Sequence, residues 1–339
     1  MSTIDQVEVE VVSVPLHSPF VTALRRATTV ESVVVRVTDS DGRVGLGEAP
    51  QNWQVLGSSV AGSVACLEGP LRAAVLGRSA DPAETWPIIE RSVAGNGAAK
   101  SALDCALHDL AGTPALSVPT LVTVPVGTPE DIAEAARARV AEGFTTLKLK
   151  VGADAETDVA RVRAARAGAG PDVALRIDAN QGWTAFDAVR VVRAIEDAGL
   201  DVELVEQPVP AADVLGLAHV RRHVETPVLA DESVFGLDDL VEVIRYDAAD
   251  LVNLKLAKAG GLTPALELAR VARAHGLGVT VGCMLEAHVG VAAAAVLADR
   301  VGCDVAPDLD GAWWLADGAP YADRVRYADG QALIGKMAP

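Results

Sequence analysis

Short runs of valine, isoleucine and leucine recur along the second two-thirds of the chain, each bounded by polar residues and each followed by a segment of helical periodicity. Continuous apolar runs of this length read as strands buried on both faces, the signature of a parallel sheet. They fall at 121–126, 145–151, 174–178, 202–206, 228–230, 251–255, 278–283 and 304–306. Amphipathic stretches such as 130–142 and 185–198 lie between them, long enough for right-handed crossovers. Strands and helices in that alternation predict an α/β fold of the (β/α)8 barrel type, an architecture of about 250 residues.

The pattern differs ahead of the barrel. Residues 7–16 and 31–48 alternate apolar and polar positions, and Asp39-Ser40-Asp41-Gly42 supplies a hairpin turn between valine runs. From about 58 to 111 the period becomes helical, with Ala99, Leu103, Ala106, Leu107 and Leu110 on one face until Gly112 and Pro114 end it. The expected organisation is an N-terminal α+β capping domain at 1–118 and the barrel at 119–312. An irregular, β-like segment at 313–339 is expected to pack back on the cap.

Composition narrows the function classes. A chain of 339 residues that is 50% hydrophobic suits a barrel with an appendage. Its net charge of -17 has no basic cluster to reverse it, which argues against nucleic acid as a partner. No apolar stretch approaches the roughly 20 residues that span a bilayer, and the opening MSTIDQVEVEV has neither the basic start nor the apolar run of a leader. A cytoplasmic protein that does not engage membranes is expected, with room for a homo-oligomer. The four cysteines show no CxxC spacing, so neither a zinc site nor a disulfide framework is suggested.

Candidate chemistry sits at one phase of the pattern. Lys150, Asp178, Glu206, Asp231 and Lys255 each close a predicted strand or directly follow one, which places all five on one barrel rim. Three acids crowded there repel one another unless a hard cation joins them, and Mg2+ is the expected ligand of Asp178, Glu206 and Asp231. Taken singly, each acid reads equally well as the cap of the next helix. Asn180 shares a face with Asp178 and is placed to orient it. Lys148 and Lys150 are two apart on one strand. At about 7 Å and an effective dielectric near 20 their repulsion is roughly 2.4 kcal/mol, enough to lower one of them by almost two units. Lys255 ends the sixth strand, across the barrel from the second. Thr123 and Cys283, with Met284 and Leu285, end the first and seventh strands and line the pocket by position. Asp308 and Asp310 follow the last strand as a paired acceptor, although Asp-Leu-Asp-Gly is also an ordinary turn.

Several of these segments resemble the enolase superfamily, in its muconate-lactonizing subgroup. GEA at 47–49, AAKSALDCALHDLAG at 98–112, KLK, DAN, EQP, ADES and NLKLAKAGG occur in family order and cover nearly the whole chain. Asp308-Leu309-Asp310 is similar to the Asp-x-Asp of dipeptide epimerases. The resemblance implies an isomerase that epimerises dipeptides with Mg2+. Lys150 and Lys255 would be its opposed bases, Lys148 would tune Lys150 and touch the substrate carboxylate, and the paired aspartates would anchor the dipeptide's free N-terminus. By the same resemblance Arg25 pairs with a side-chain carboxylate, as in Ala-Glu epimerases, and Lys258 serves structure. The loop at 47–59 is expected to close over the site, with Trp53 excluding water. An o-succinylbenzoate synthase or N-acylamino-acid racemase would share the lysines and the three metal-binding acids but have no use for Asp308 and Asp310, and a non-catalytic small-molecule-binding barrel is the reading from another class.

Overall fold

Alternating valines build the first sheet. In this computed structural model, which describes residues 2–22 and 26–335, β1 (Ile4–Val21), β2 (Arg26–Asp39) and β3 (Val44–Pro50) form an antiparallel sheet in the order β1-β2-β3. Its buried valines, among them Val7, Val33, Val35 and Val37, face helices Pro82–Ser92 and Gly97–Asp109. Gly45 and Gly47 on β3 permit the closest approach in this domain. A Cβ there would lie 2.0 Å from the Ala106 carbonyl oxygen and 1.9 Å from that of Ala102. Only glycine lets the backbone of the helix come so near.

The barrel follows. β5 (Val122–Val124), β6 (Thr146–Lys150), β7 (Ala174–Asp178), β8 (Val202–Glu206), β9 (Val228–Ala230), β10 (Leu251–Lys255) and β11 (Gly278–Gly282) run parallel in strictly sequential order. Helices between them bury one face each, as Ala188, Val191, Val192 and Ile195 do in Ala185–Asp197. The expected eighth strand at 304–306 is replaced by an irregular stave. Asp304 N donates to the Val279 carbonyl, Asp308 N to that of Val281, and Cys283 N to that of Asp308, while Leu121 N donates to the Pro307 carbonyl on the other side. The segment therefore closes the curled sheet without a regular ladder. Pro307 has no N–H to give, and the Asp304 carboxylate accepts the Val279 N–H in addition, which disrupts strand pairing locally.

One strand escaped the periodicity. β4 (Leu116–Pro119) pairs with β13 (Gln331–Ile334), which pairs in turn with β12 (Val325–Ala328), so the chain leaving the cap is stitched to the C-terminal hairpin. That segment also reaches back to β1, where Ala316 N donates to the Pro15 carbonyl and His17 stacks on Trp314. No helix among the described residues is long and apolar enough to cross a membrane.

Candidate active site

Parallel register sets the row of charges. Lys150 lies opposite Asp178, and Asp178 opposite Glu206, as the last residues of β6, β7 and β8. Asp231 follows β9 directly, and Lys255 ends β10 opposite Gly282. The side chains meet in a cleft of about 620 Å³ between the strand ends and the cap, which contributes Phe20, Thr22, Asn52, Gln54 and Val55. Thr123, Lys148, Asn180, Cys283, Met284, Leu285, Asp308 and Asp310 line it from the barrel side.

Lys148 is the electrostatic hub. Only 1% exposed, its Nζ lies 2.7 Å from Glu206 Oε2, 2.7 Å from Asp308 Oδ2 and 2.9 Å from Asp178 Oδ2. Burial alone would depress this amine, but Asp178, Asp308 and Glu206 outweigh it and hold the ammonium well above its ordinary value. The expectation that lysine–lysine repulsion governs this strand fails for Lys148, since the carboxylates are nearer than the neighbouring cation. Asp178, shared by Lys148 and Lys150 at 2.9 and 2.7 Å, falls to about 2 against the pull of burial. Glu206, pushed by burial and by Asp178, rises to about 7 despite Lys148.

Across the cleft, Lys255 Nζ is 2.6 Å from Asp231 Oδ2 and Lys258 Nζ is 2.6 Å from Asp231 Oδ1. Burial disfavours the Lys255 ammonium, yet Asp231 and Glu206 raise it; Lys258 is lowered because burial wins. Asp231 is lowered by the two lysines against burial. Lys258 also donates to the Asn253 carbonyl, so it braces the turn after β10.

The remaining expected residues sort as follows. Asn180 supplies its backbone N–H to Asp178 Oδ1 at 2.8 Å, while its side-chain amide donates to Glu232 Oε1. It thus orients Asp178 through the main chain. Asp310 accepts the Thr123 N–H at 2.7 Å and the Trp314 indole N–H at 3.1 Å. Burial and Asp308 push it to about 6, whereas Asp308, held by Lys148, lies low. Trp53 is 61% exposed and does not border the cleft; its neighbours Asn52, Gln54 and Val55 take the place expected for it. Arg25 lies outside the described residues. Sequence reasoning assigned nothing to Glu232, a buried cleft residue raised to about 7 by burial and by Asp231, nor to Asn253, whose amide donates to Glu206 Oε1 at 3.0 Å. Their signals were present in ADES and in the first residue of NLKLAKAGG, but neither sits at the strand-end phase.

The donor set suits a hard divalent cation. Asp178, Glu206 and Asp231 are carboxylates on adjacent staves, and the buried oxygens Asn180 Oδ1, Asn253 Oδ1 and Glu232 Oε2 have no hydrogen-bond partner. Orphaned acceptors in such number call for positive charge. The acids do not form a finished cage. Among the described residues no three histidine, cysteine or acidic side chains close on one point, and the three acids instead turn toward Lys148, Lys150, Lys255 and Lys258.

A closed parallel barrel with acids and lysines on its C-terminal rim, roofed by an α+β cap, defines a recognisable class of barrel proteins. Residues 5–122 match the mandelate racemase / muconate lactonizing enzyme N-terminal domain, residues 131–336 match the enolase C-terminal domain-like family, and the chain belongs to the enolase superfamily. It is 41% identical over 304 residues to the L-Ala-D/L-Glu epimerase of Bacillus subtilis, covering 86% of this chain and 83% of the relative. The structure of a substrate-liganded complex of that epimerase matches with a TM-score of 0.92 at 37% identity, over 98% of this chain and 96% of the other. The dipeptide epimerase from Enterococcus faecalis, complexed with Mg and the dipeptide L-Leu-L-Tyr, matches with a TM-score of 0.90 at 34% identity, over 99% and 98% of the two chains.

Proposed function

We propose that this chain is a Mg2+-dependent dipeptide epimerase that moves the α-proton of the C-terminal residue. The observation that carries the reading is the opposition of two lysines. Lys150 ends β6 and Lys255 ends β10, four staves apart around the barrel, and both border one cleft. A Cα held between them can lose its proton to one amine and receive another from the far face, which inverts the centre. Either lysine acts as base only when neutral, so each must first loosen its hold on Asp178 or Asp231. Asp178, Glu206 and Asp231 would hold the Mg2+, which supplies Lewis-acid stabilisation of the charge developing on the substrate carboxylate.

The other groups take supporting parts. Lys148, fixed among three carboxylates, keeps a positive charge at the cleft floor beside the position where that negative charge develops. Asp308 and Asp310 receive the ammonium group of the dipeptide, with Asp310 fixed by Thr123 and Trp314. Thr123 and Cys283 line the cleft, and Arg25 is assigned to a side-chain carboxylate when the second residue is acidic. The similarity to an L-Ala-D/L-Glu epimerase and to a dipeptide epimerase complexed with L-Leu-L-Tyr supports dipeptides as the substrate class.

The test is solvent exchange. L-Ala-L-Glu and L-Leu-L-Tyr, each incubated with the protein and Mg2+ in D2O, are expected to gain deuterium at the second α-carbon alone, with inversion. Exchange confined to N-acyl amino acids would replace the proposal with the racemase reading. No exchange in any carboxylate would leave a binding barrel.

A further inference from the structure

Most barrel helices cap themselves. Thr128, Asp154, Thr184 and Asp213 each accept an N–H from the first turn of the helix they precede, as short polar N-caps do. Leu237–Arg245, after Gly236, has only its own Asp239 bonding back to the Gly236 N–H, and the longer helices beyond β10 and β11 lack even that. Leu262–Ala274 begins after Gly261 and His288–Val301 after Ala287, and neither residue has a side chain able to accept.

Buried acids of the N-terminal domain accept these N–H groups instead. Glu48, on β3, takes the Ala287 N–H on Oε1 at 2.7 Å and the Gly290 N–H on Oε2 at 2.8 Å. Asp104, on helix Gly97–Asp109 and 0% exposed, takes the Thr263 N–H at 2.9 Å and the Thr263 hydroxyl at 2.8 Å. The fit is shaped on both sides. A Cβ on Gly261 would lie 2.4 Å from Asp104 Oδ2, so the residue that lacks a capping side chain also makes room for the one supplied across the interface. Each carboxylate meets the positive end of a helix dipole, which offsets the cost of its burial.

We propose that Glu48 and Asp104 are positioning residues that cap two barrel helices from the other domain and so fix the cap over the cleft. Glu48 grips the segment just beyond Cys283, Met284 and Leu285, which form one cleft wall. Asn52, four residues on, adds a contact from its amide to Met284 Sδ at 3.5 Å and borders the cleft itself. The wall and the cap loop facing it are therefore set by one strand. Asp104 does the same for the Gly260–Gly261 turn beyond Lys255 and Lys258.

Hydrogen exchange on the full chain tests the capping, and kinetics test its consequence. In Glu48→Gln one carboxylate oxygen becomes an NH2 facing an N–H donor, so amides at 287–290 should exchange about tenfold faster, equivalent to about 1.4 kcal/mol, while those at 262–265 keep their rate. Asp104→Ala should show the reverse, and Asp104→Asn, which retains an acceptor, should restore the slower rate. With dipeptide substrate, Glu48→Gln should raise KM about tenfold with kcat within threefold. Unchanged exchange in both variants, or equal acceleration of both segments in each, overturns the proposal, as does a fall in kcat at constant KM. If either Glu48→Gln or Asp104→Ala does not fold, the other decides the exchange result. The kinetic arm rests on the dipeptide-epimerase reading. A wild-type chain without that activity defeats the reading while the exchange arm still decides the capping.

Discussion

Replacing Lys148 with Met keeps the length of the side chain and removes the one cation shared by Asp178, Glu206 and Asp308. At contacts near 2.8 Å and an effective dielectric near 20, each pair has a gross attraction of about 6 kcal/mol. Most of that is spent on desolvation, because Lys148 and its partners are buried. What the substitution exposes is the residue of the balance: carboxylates left in the interior without their counter-charge, for which a loss of about 3–5 kcal/mol is expected. The effect should be largest in EDTA. A divalent ion that binds only the folded chain returns about 2.7 kcal/mol at one hundred times its dissociation constant, and in Lys148→Met it no longer competes with an ammonium for Asp178 and Glu206. Urea unfolding of both proteins, with EDTA and with excess Mg2+, measures all four stabilities. Two results would refute the reasoning: a variant as stable as the parent in EDTA, or a parent that gains more from Mg2+ than the variant does.

Three further outcomes follow from the same structure. Lys255→Met should abolish inversion while α-deuterium exchange persists from one enantiomer only, read by mass spectrometry and chiral chromatography; complete epimerisation would end the two-base scheme. Asp310→Asn should raise KM for dipeptides at least tenfold, with Mg2+ affinity by calorimetry unmoved, and an unchanged KM would remove the ammonium-anchor role. Asp104, raised by burial from 3.8 to about 6, binds protons more tightly when folded, so its contribution to stability falls by about 3 kcal/mol as pH rises through that window. His108, lowered by burial and Arg300 from 6.5 to about 4, gives a rise of similar size over much the same range, so the two slopes nearly cancel. Measured as the difference from the parent, stability should rise from pH 4 to 6.5 in Asp104→Asn and fall in His108→Gln, and parallel profiles for parent and variants would contradict both assignments.

How much of this was legible in the sequence depends on what positions each group. Lys150, Asp178, Glu206 and Lys255 end strands whose apolar runs are unmistakable, and local phase alone puts them on one rim. Val305-Ala306 has the β composition of an eighth strand, but Pro307 and the Asp304 carboxylate break its ladder, a tertiary effect on a short run. β4 was missed since its partner, β13, lies more than two hundred residues away. The position of Trp53 on the 47–59 loop points to the cleft, yet its side chain is exposed. Burial on that loop falls to Asn52, whose backbone bonds to Ser58 and whose side chain bonds to Val55 and Met284 turn it inward. The capping by Glu48 and Asp104 has no local signal beyond an absence, helices that begin after Gly261 and Ala287, and Gly236 shows the same absence without such a partner.

Repulsion between Lys148 and Lys150 does not set the Lys148 ammonium, because carboxylates crowd it from three sides. A pair two residues apart on one strand is not isolated: six carboxylates (Asp178, Glu206, Asp231, Glu232, Asp308 and Asp310) share the region with four lysines at 148, 150, 255 and 258. With every group ionised the acids outnumber the lysines, a balance that favours an added cation. The deficit is not spread evenly. Asp178 and Asp231, each gripped by two lysines, are lowered, whereas Glu206 and Glu232, buried beside other acids, both rise to about 7. Unpartnered oxygens among the described residues here belong to Glu232, Asn180 and Asn253, and the two asparagines donate to the same two glutamates, Asn180 to Glu232 and Asn253 to Glu206. A divalent ion held by Asp178, Glu206 and Asp231 would therefore relieve the crowding that raises Glu206 and Glu232, and would take the place of lysine contacts at Asp178 and Asp231.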